Sequence, residues 1–298
     1  MPNQPMTSKP HEIPIDADDR VPRAMTIAGS DSGAGAGIQA DLKTFAAHGV
    51  YGTSVITAVT AQNTTSVLAI AEVPEEVVIH QIDGVIEDIG TDAIKTGMLS
   101  SGSIIEVVAD RIEAWGITNV VVDPVMVAKS GDALLQPNAV RSLVKYLLPL
   151  SLIVTPNIPE AQVLSGKTIT ADASEEEAAR IIAGLGARIV VIKGGHRESP
   201  DAIDLVFAGT TFERLSGPRF ATANTHGTGC TFSAAIAANL ALGIDPITAI
   251  VRAKEYLSAA IQESFPIGAG HSPVNHFYNV SAIDPRSAAV GSGGFHGS

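Results

Sequence analysis

Apolar residues along this chain fall into two alternating rhythms. Short β-branched or aliphatic runs at residues 24–28, 53–61, 67–73, 93–96, 120–122, 152–155 and 189–192 predict strands. Between them, apolar positions recur every three or four residues, as in Val78, Ile82, Val85, Ile86 and Ile89, and predict helices over 38–49, 75–89, 104–115, 174–185 and 246–263. The runs 205–207 and 211–215 flank Ala208-Gly209-Thr210 as a hairpin. A polar, glycine-broken segment at 224–229 leads into Phe232, Ile236 and Leu240, whose four-residue spacing marks one more helix. Strand and helix in alternation predict an α/β fold with a mostly parallel sheet. No period of 20 to 50 residues repeats, which argues against a solenoid.

Composition narrows the class. Hydrophobic residues make up 45% of 298, enough for a large core, and aromatics only 4%, so Ala, Val, Ile and Gly carry the packing. A formal charge of −12 argues against nucleic acid or an anionic membrane surface as a general partner. The single cysteine cannot form an internal disulfide, and neither a long apolar run nor a secretion signal is present, so a cytoplasmic protein is expected. Five prolines in residues 1–22 predict a disordered leader, and the small, glycine-rich 281–298 a disordered tail. One folded domain, 23–280, lies between.

Candidate chemistry gathers where predicted strands end. Gly227 and Gly229 precede a helix whose unpaired N–H groups suit an anion, and Cys230 falls in its first turn, where the helix field should lower a thiol pKa. By residue type alone, Cys230 equally fits a small buried hydrophobe, and the glycines a turn. Strand 24–28 runs into a glycine-rich turn at 29–37 without the spacing of a dinucleotide fingerprint. Asp41 in the next helix could face solvent or that turn. Gln62 and Asn63 close a strand and could read a heterocycle edge or finish a turn. Met98 reads by type as core. Asp123 and Lys193 each sit at a strand's carboxyl end, where open α/β sheets collect ligands, and the lysine could meet a polyphosphate. Asn157 and Glu160, three apart, could hold a hydrated Mg²⁺ or simply cap a helix. His196 is expected in an exposed loop.

The segments AGSDSGAGAGIQADLKTF, SVITAVTAQNT, KTGML, DPVMVAKSGDALL, TPNIPEAQVLSG, IKGGH, NTHGTGCTFSAAIA and PVNHF, in this order over 24–278, resemble the hydroxymethylpyrimidine/phosphomethylpyrimidine kinases of the ribokinase-like superfamily. GIQADLKTF, AQNT and GTGCT are the specific ones. The resemblance implies a ribokinase-like central sheet with helices on both faces and a small β flap over the acceptor. It implies ATP and Mg²⁺, a pyrimidine alcohol and its monophosphate as acceptors, and a homodimer. It implies Cys230 as the base, Asp41 as an acidic active-site residue, and Lys193 and Thr228 on the ATP phosphates. Gly227, Thr228 and Gly229 would form the anion hole, Thr155 and Asn157 would serve the nucleotide, and Asp123 and Glu160, with Asn157, would organise the metal. Gln62, Met98, Gly29 and Val125 would line the pyrimidine pocket. Pyridoxal kinase is the nearest alternative, and a non-catalytic binding protein on the same fold is the alternative of another kind.

Overall fold

A computed structural model describes residues 20–127, 139–195 and 201–280. The expected disorder of the leader and the tail, and the exposed position of His196, lie outside the described residues, save that Arg20–Pro22 already run alongside the sheet. There Arg20 pairs with Asp92, and the Pro22 carbonyl accepts from Tyr51 N at 2.8 Å.

Nine strands form one sheet among the described residues: β1 (Arg23–Asp31), β2 (Tyr51–Gln62), β3 (Val67–Glu72), β4 (Ala93–Thr96), β5 (Val120–Val122), β6 (Ile153–Val154), β7 (Ile189–Ile192), β8 (Asp201–Ala208) and β9 (Thr211–Pro218). Their order is β3-β2-β1-β4-β5-β6-β7-β8-β9. Strands β2, β1, β4, β5, β6 and β7 pair in parallel, and β3, β8 and β9 join antiparallel at the two margins. The expected β flap is the end of β2 paired with β3, which extends this sheet's edge instead of forming a separate layer.

Helices α1 (Gly37–Ala47), α7 (Thr228–Ala241) and α8 (Pro246–Gln262) cover one face, and α2 (Glu75–Asp88), α3 (Gly102–Ala114), α4 (Ala139–Ser142), α5 (Ile158–Ser165) and α6 (Asp172–Gly184) cover the other. Because strand side chains alternate, Val121 feeds one core while Val120 and Val122 feed the other. This explains the uninterrupted apolar runs of the central strands. The sequence pattern missed residues 139–150, where α4 widens into a π turn at Leu143–Leu147 and tightens into a 3₁₀ turn at Leu148–Leu150. No single helical period marks such a stretch.

Helix α7 departs from its expected one-sided stripe. Every residue from Thr231 to Leu240 is buried, because α7 lies between the sheet and both α1 and α8, and its alanines let all three approach. Its start is pinned by backbone. Gly227 has φ +75°, and a Cβ there would stand 1.8 Å from the Gly35 carbonyl oxygen. Gly227→Ala is therefore expected to lower unfolding stability by at least about 1–2 kcal/mol from the backbone conformation alone, measured by denaturant titration.

Candidate active site

Strand order reverses direction between β1 and β4, since β1 turns outward to β2 while the chain later returns to β4 on the other side. Open α/β sheets leave a crevice at such a switch point, beyond the strands' carboxyl ends. A cleft of about 670 Å³ opens there, touched by Asp31 at the end of β1, Met98 after β4, Asp123 after β5, Asn157 after β6 and Lys193 after β7. That volume lies in the range of ordinary ligand sites. The start of α7, residues 227–230, forms its floor.

At the middle of the cleft Lys193 Nζ donates to Asp123 Oδ1 at 2.9 Å. Burial works against the lysine's charge, yet Asp123 and Glu160 outweigh it and hold its pKa above the usual lysine value. A Cβ on Gly229 would lie 3.3 Å from Lys193 Nζ and 3.7 Å from Asp123 Oδ2, so helix start, ammonium and carboxylate meet at one spot. Oδ2 of Asp123 is buried without a hydrogen-bond partner.

Asn157 and Glu160 realise the cap reading while both line the cleft. Asn157 Oδ1 accepts from Glu160 N at 2.9 Å, and Glu160 Oε2 accepts from Asn157 N at 2.7 Å, a reciprocal capping box on α5. Burial pushes the Glu160 carboxyl up to about 7, with Asp123 adding to the rise and Lys193 opposing it. Among the described residues no cluster of three or more His, Cys, Asp or Glu could hold a metal. Two carboxylates on one wall, one with an orphaned oxygen, fit a hydrated Mg²⁺ that keeps waters and shares phosphate oxygens better than a closed protein cage.

Cys230 lines the cleft and is half-buried. The expectation that the helix start would lower its pKa is overturned: burial pushes the thiol up to about 11, with Asp41 and Asp123 reinforcing the rise and Lys95 opposing it. Desolvation of a would-be thiolate outweighs the few amide dipoles facing it. Asp41 likewise differs from both expected placements. It meets neither solvent nor the glycine turn and does not line the cleft, because it is sealed between α1 and the sheet. There its Oδ2 accepts from Lys95 Nζ at 2.9 Å and from the Thr26 hydroxyl at 2.6 Å. Lys95 is fully buried and had no sequence signal, since a lysine in a core strand reads as an interruption. Burial works against its charge, but Asp41, Cys230 and Asp123 raise its pKa overall. Thr155, expected at the nucleotide, also lies off the cleft. Its hydroxyl lies 2.8 Å from Ser233 Oγ and 3.5 Å from Asp123 Oδ1, beneath that carboxylate.

Gly29, Val125, Gln62 and Met98 also line the cleft. Met98 is buried against Gly29, where a Cβ would stand 2.4 Å from the methionine methyl. Gln62 faces the cleft, whereas Asn63 closes the turn by accepting from Thr65 N and Ser66 N. Sequence reasoning missed two partners here. Asp31 accepts from the N–H groups of Gly33, Gly35 and Ala36, so the glycine turn wraps this carboxylate, and His226 Nε2 lies 3.0 Å from its Oδ2. The sequence signal was present in Asp31 of GSDSG and in the His before Gly-Thr-Gly, but nothing local tells that they meet. At the far end Lys254 Nζ donates to Asp204 Oδ2 at 2.8 Å, also unforeseen.

Because Cys230 is the chain's only cysteine, its ionisation can be read without interference. The rate of alkylation by iodoacetamide in the free protein is expected to climb through pH 9–11 toward an apparent pKa of about 11, with no plateau between pH 7 and 8.

Comparison with known proteins places the chain in a family. A sequence model of the family described as phosphomethylpyrimidine kinase matches residues 31–275. The chain is 53% identical over 258 residues to a hydroxymethylpyrimidine/phosphomethylpyrimidine kinase of Rhizobium meliloti, covering 86% of this chain and 97% of that one. It is 53% identical over 263 residues to a thiamine biosynthesis bifunctional protein of Geobacter sulfurreducens, covering 88% of this chain and 54% of that longer one. Among solved structures, an ADP complex of Bacillus subtilis pyridoxal kinase superposes with a TM-score of 0.81 at 42% identity, covering 86% of this chain and 98% of that one. With the ribokinase-like sheet and a kinase cleft in place, the chain belongs to the phosphomethylpyrimidine kinase family.

Proposed function

We propose that this protein transfers the γ-phosphoryl group of ATP to the hydroxymethyl oxygen of 4-amino-5-hydroxymethyl-2-methylpyrimidine, and then to the phosphate of that product, within thiamine biosynthesis. The observation that carries the reading is the meeting of Cys230, the α7 N-terminus and the Lys193–Asp123 pair in one cleft, in a chain of this family. The hydroxymethyl oxygen forms its bond to the γ-phosphorus as the bond to ADP breaks. The alcohol proton passes to the Cys230 thiolate, which is scarce at neutral pH but, with a thiol pKa of about 11, strongly basic once formed.

The amide groups of Gly227, Thr228 and Gly229 face the oxygens on which charge accumulates, and Lys193 neutralises a phosphate as a point charge. Asp123 and Glu160, with Asn157 beside them, would hold the hydrated Mg²⁺, which supplies charge neutralisation on the phosphates when bound. Val125, Met98 and Gly29 shape the acceptor pocket, and Asp41 acts from beneath through Lys95. A homodimer fits the apolar β2–β3 margin, where Val59 is 51% and Leu68 73% exposed. A cytoplasmic setting fits the single cysteine, and among the described residues no helix is long and apolar enough to cross a membrane. We read residues 23–280 as one kinase domain.

A second reading, pyridoxal phosphorylation, is favoured by the likeness to the Bacillus subtilis pyridoxal kinase. Product identification by mass spectrometry after incubation with Mg-ATP and either alcohol decides between them. Pyrimidine mono- and diphosphate with little pyridoxal phosphate supports the first reading, and the reverse overturns it.

The two transfers place different demands on the base, because an alcohol must lose a proton while a phosphate acceptor is already ionised. Cys230→Ala is expected to lower kcat for the alcohol by about 10²–10⁴ while the monophosphate step falls by less than about tenfold. KM for ATP should stay within about threefold, since the amides of the α7 start remain.

A further inference from the structure

The approach of Gly227 to the Gly35 carbonyl is a contact of shape, and it is lost if either loop shifts. One side-chain hydrogen bond brackets it. Asp31 closes β1 and opens the turn that contains Gly35, while His226 directly precedes Gly227. His226 Nε2 lies 3.0 Å from Asp31 Oδ2, so this bond joins the same two segments that the glycines bring together.

Its hydrogen can be placed by counting. Asp31 Oδ1 accepts from Gly33 N at 2.8 Å, and Oδ2 accepts from Gly35 N at 3.1 Å and Ala36 N at 2.9 Å. Burial tends to raise the Asp31 pKa, but the His226 hydrogen bond and those amides prevail and hold the carboxyl below its usual range. An ionised carboxylate only accepts, so the hydrogen lies on Nε2 whether the ring is neutral or charged. Asp31 is 3% and His226 8% exposed, so water competes little for the bond. Both ends are also tied elsewhere. Asp31 N donates to Gln39 Oε1 at 2.9 Å and His226 N to the Ser272 carbonyl at 3.1 Å. The imidazole lies over Gly35, where a Cβ would stand 2.2 Å from the ring.

We propose that the Asp31–His226 hydrogen bond is the latch that holds the turn after β1 against the start of α7, which makes His226 a positioning residue for the amides of Gly227, Thr228 and Gly229. This rests on the reading that those amides receive the phosphoryl group. Negative charge builds on the transferring phosphoryl oxygens whichever acceptor attacks, so the amides serve both transfers alike. Loss of the latch should therefore slow both steps. Loss of Cys230, by contrast, should fall mainly on the alcohol. The two kinds of residue are thus told apart by which acceptor suffers.

A double-mutant cycle on the full-length protein tests this, with His226→Ala, Asp31→Ala and the pair, using Mg-ATP with the hydroxymethyl pyrimidine and with its monophosphate. Hydrogen exchange of residues 33–36 and 227–231, followed by mass spectrometry, gives a readout apart from activity. His226→Ala is expected to lower kcat for both acceptors alike by about 10–100-fold, the scale of a misplacement of about 1 Å. KM for each acceptor should stay within about threefold. Exchange in both segments should quicken about tenfold, the worth of one buried hydrogen bond. Asp31→Ala should be more severe, because it also frees the turn amides, and the pair should be no worse than Asp31→Ala alone. His226→Gln, which can return an N–H near the Nε2 position, is expected to recover kcat to within about threefold of the unsubstituted protein. His226→Leu, which keeps bulk over Gly35 without the N–H, carries the same expectation as His226→Ala if that variant does not fold. Unchanged kcat or unchanged exchange in His226→Ala, a kcat loss confined to one acceptor, or effects that multiply in the pair overturn the inference. The functional reading fails separately, if the unsubstituted protein yields no pyrimidine phosphate.

Discussion

The site depends on one backbone approach, in which Gly227 lies against the Gly35 carbonyl so closely that no side chain fits between them. The contact joins the turn after β1 to the start of α7, two places 192 positions apart by the difference of their numbers. It fixes where the first N–H groups of α7 point and sets Cys230 at the wall of the cleft. The burial of α7 on all sides makes the placement rigid, since the helix cannot slide without opening contacts to the sheet, α1 and α8 together. A transferring phosphoryl group gains most from donors that need no reorganisation as charge develops, and this packing provides them.

Charge around that start is layered. Lys193 and Asp123 face the cleft, where ligand phosphates can reach them, while Lys95 and Asp41 lie sealed beneath. A fully buried ion pair is poor value as a source of stability, because desolvation offsets most of the attraction. Beneath Cys230 its two charges act in opposite senses, Lys95 pulling the thiol pKa down and Asp41 pushing it up along with burial. The net result still leaves the thiol protonated in the free enzyme at neutral pH.

Much of this was legible from residue pattern. The strands at 93–96, 120–122 and 189–192 stand where their apolar runs put them, because central parallel strands are buried on both faces and read as unbroken hydrophobic blocks. Asp123, Lys193, Asn157 and Glu160 were found because strand ends in such sheets converge on one edge. What escaped depends on tertiary contact. Lys95 looks out of place until Asp41 meets it from another element, and Asp31 and His226 are separated by 195 positions. The thiol pKa was misjudged because helix field is a local property and desolvation is not. Residues 139–150 were missed because a helix that changes pitch carries no constant period.

The central claim is that the amides at the start of α7 receive the phosphoryl group between Lys193 and Cys230. A crystal structure of the complex with Mg²⁺, a non-hydrolysable ATP analogue and the hydroxymethyl pyrimidine tests it most directly. The account predicts terminal phosphate oxygens accepting from the N–H groups of residues 227–229 beside Lys193, with the acceptor hydroxyl between phosphorus and the Cys230 sulfur. A terminal phosphate bound away from the α7 start, or an acceptor hydroxyl turned from Cys230, would contradict it.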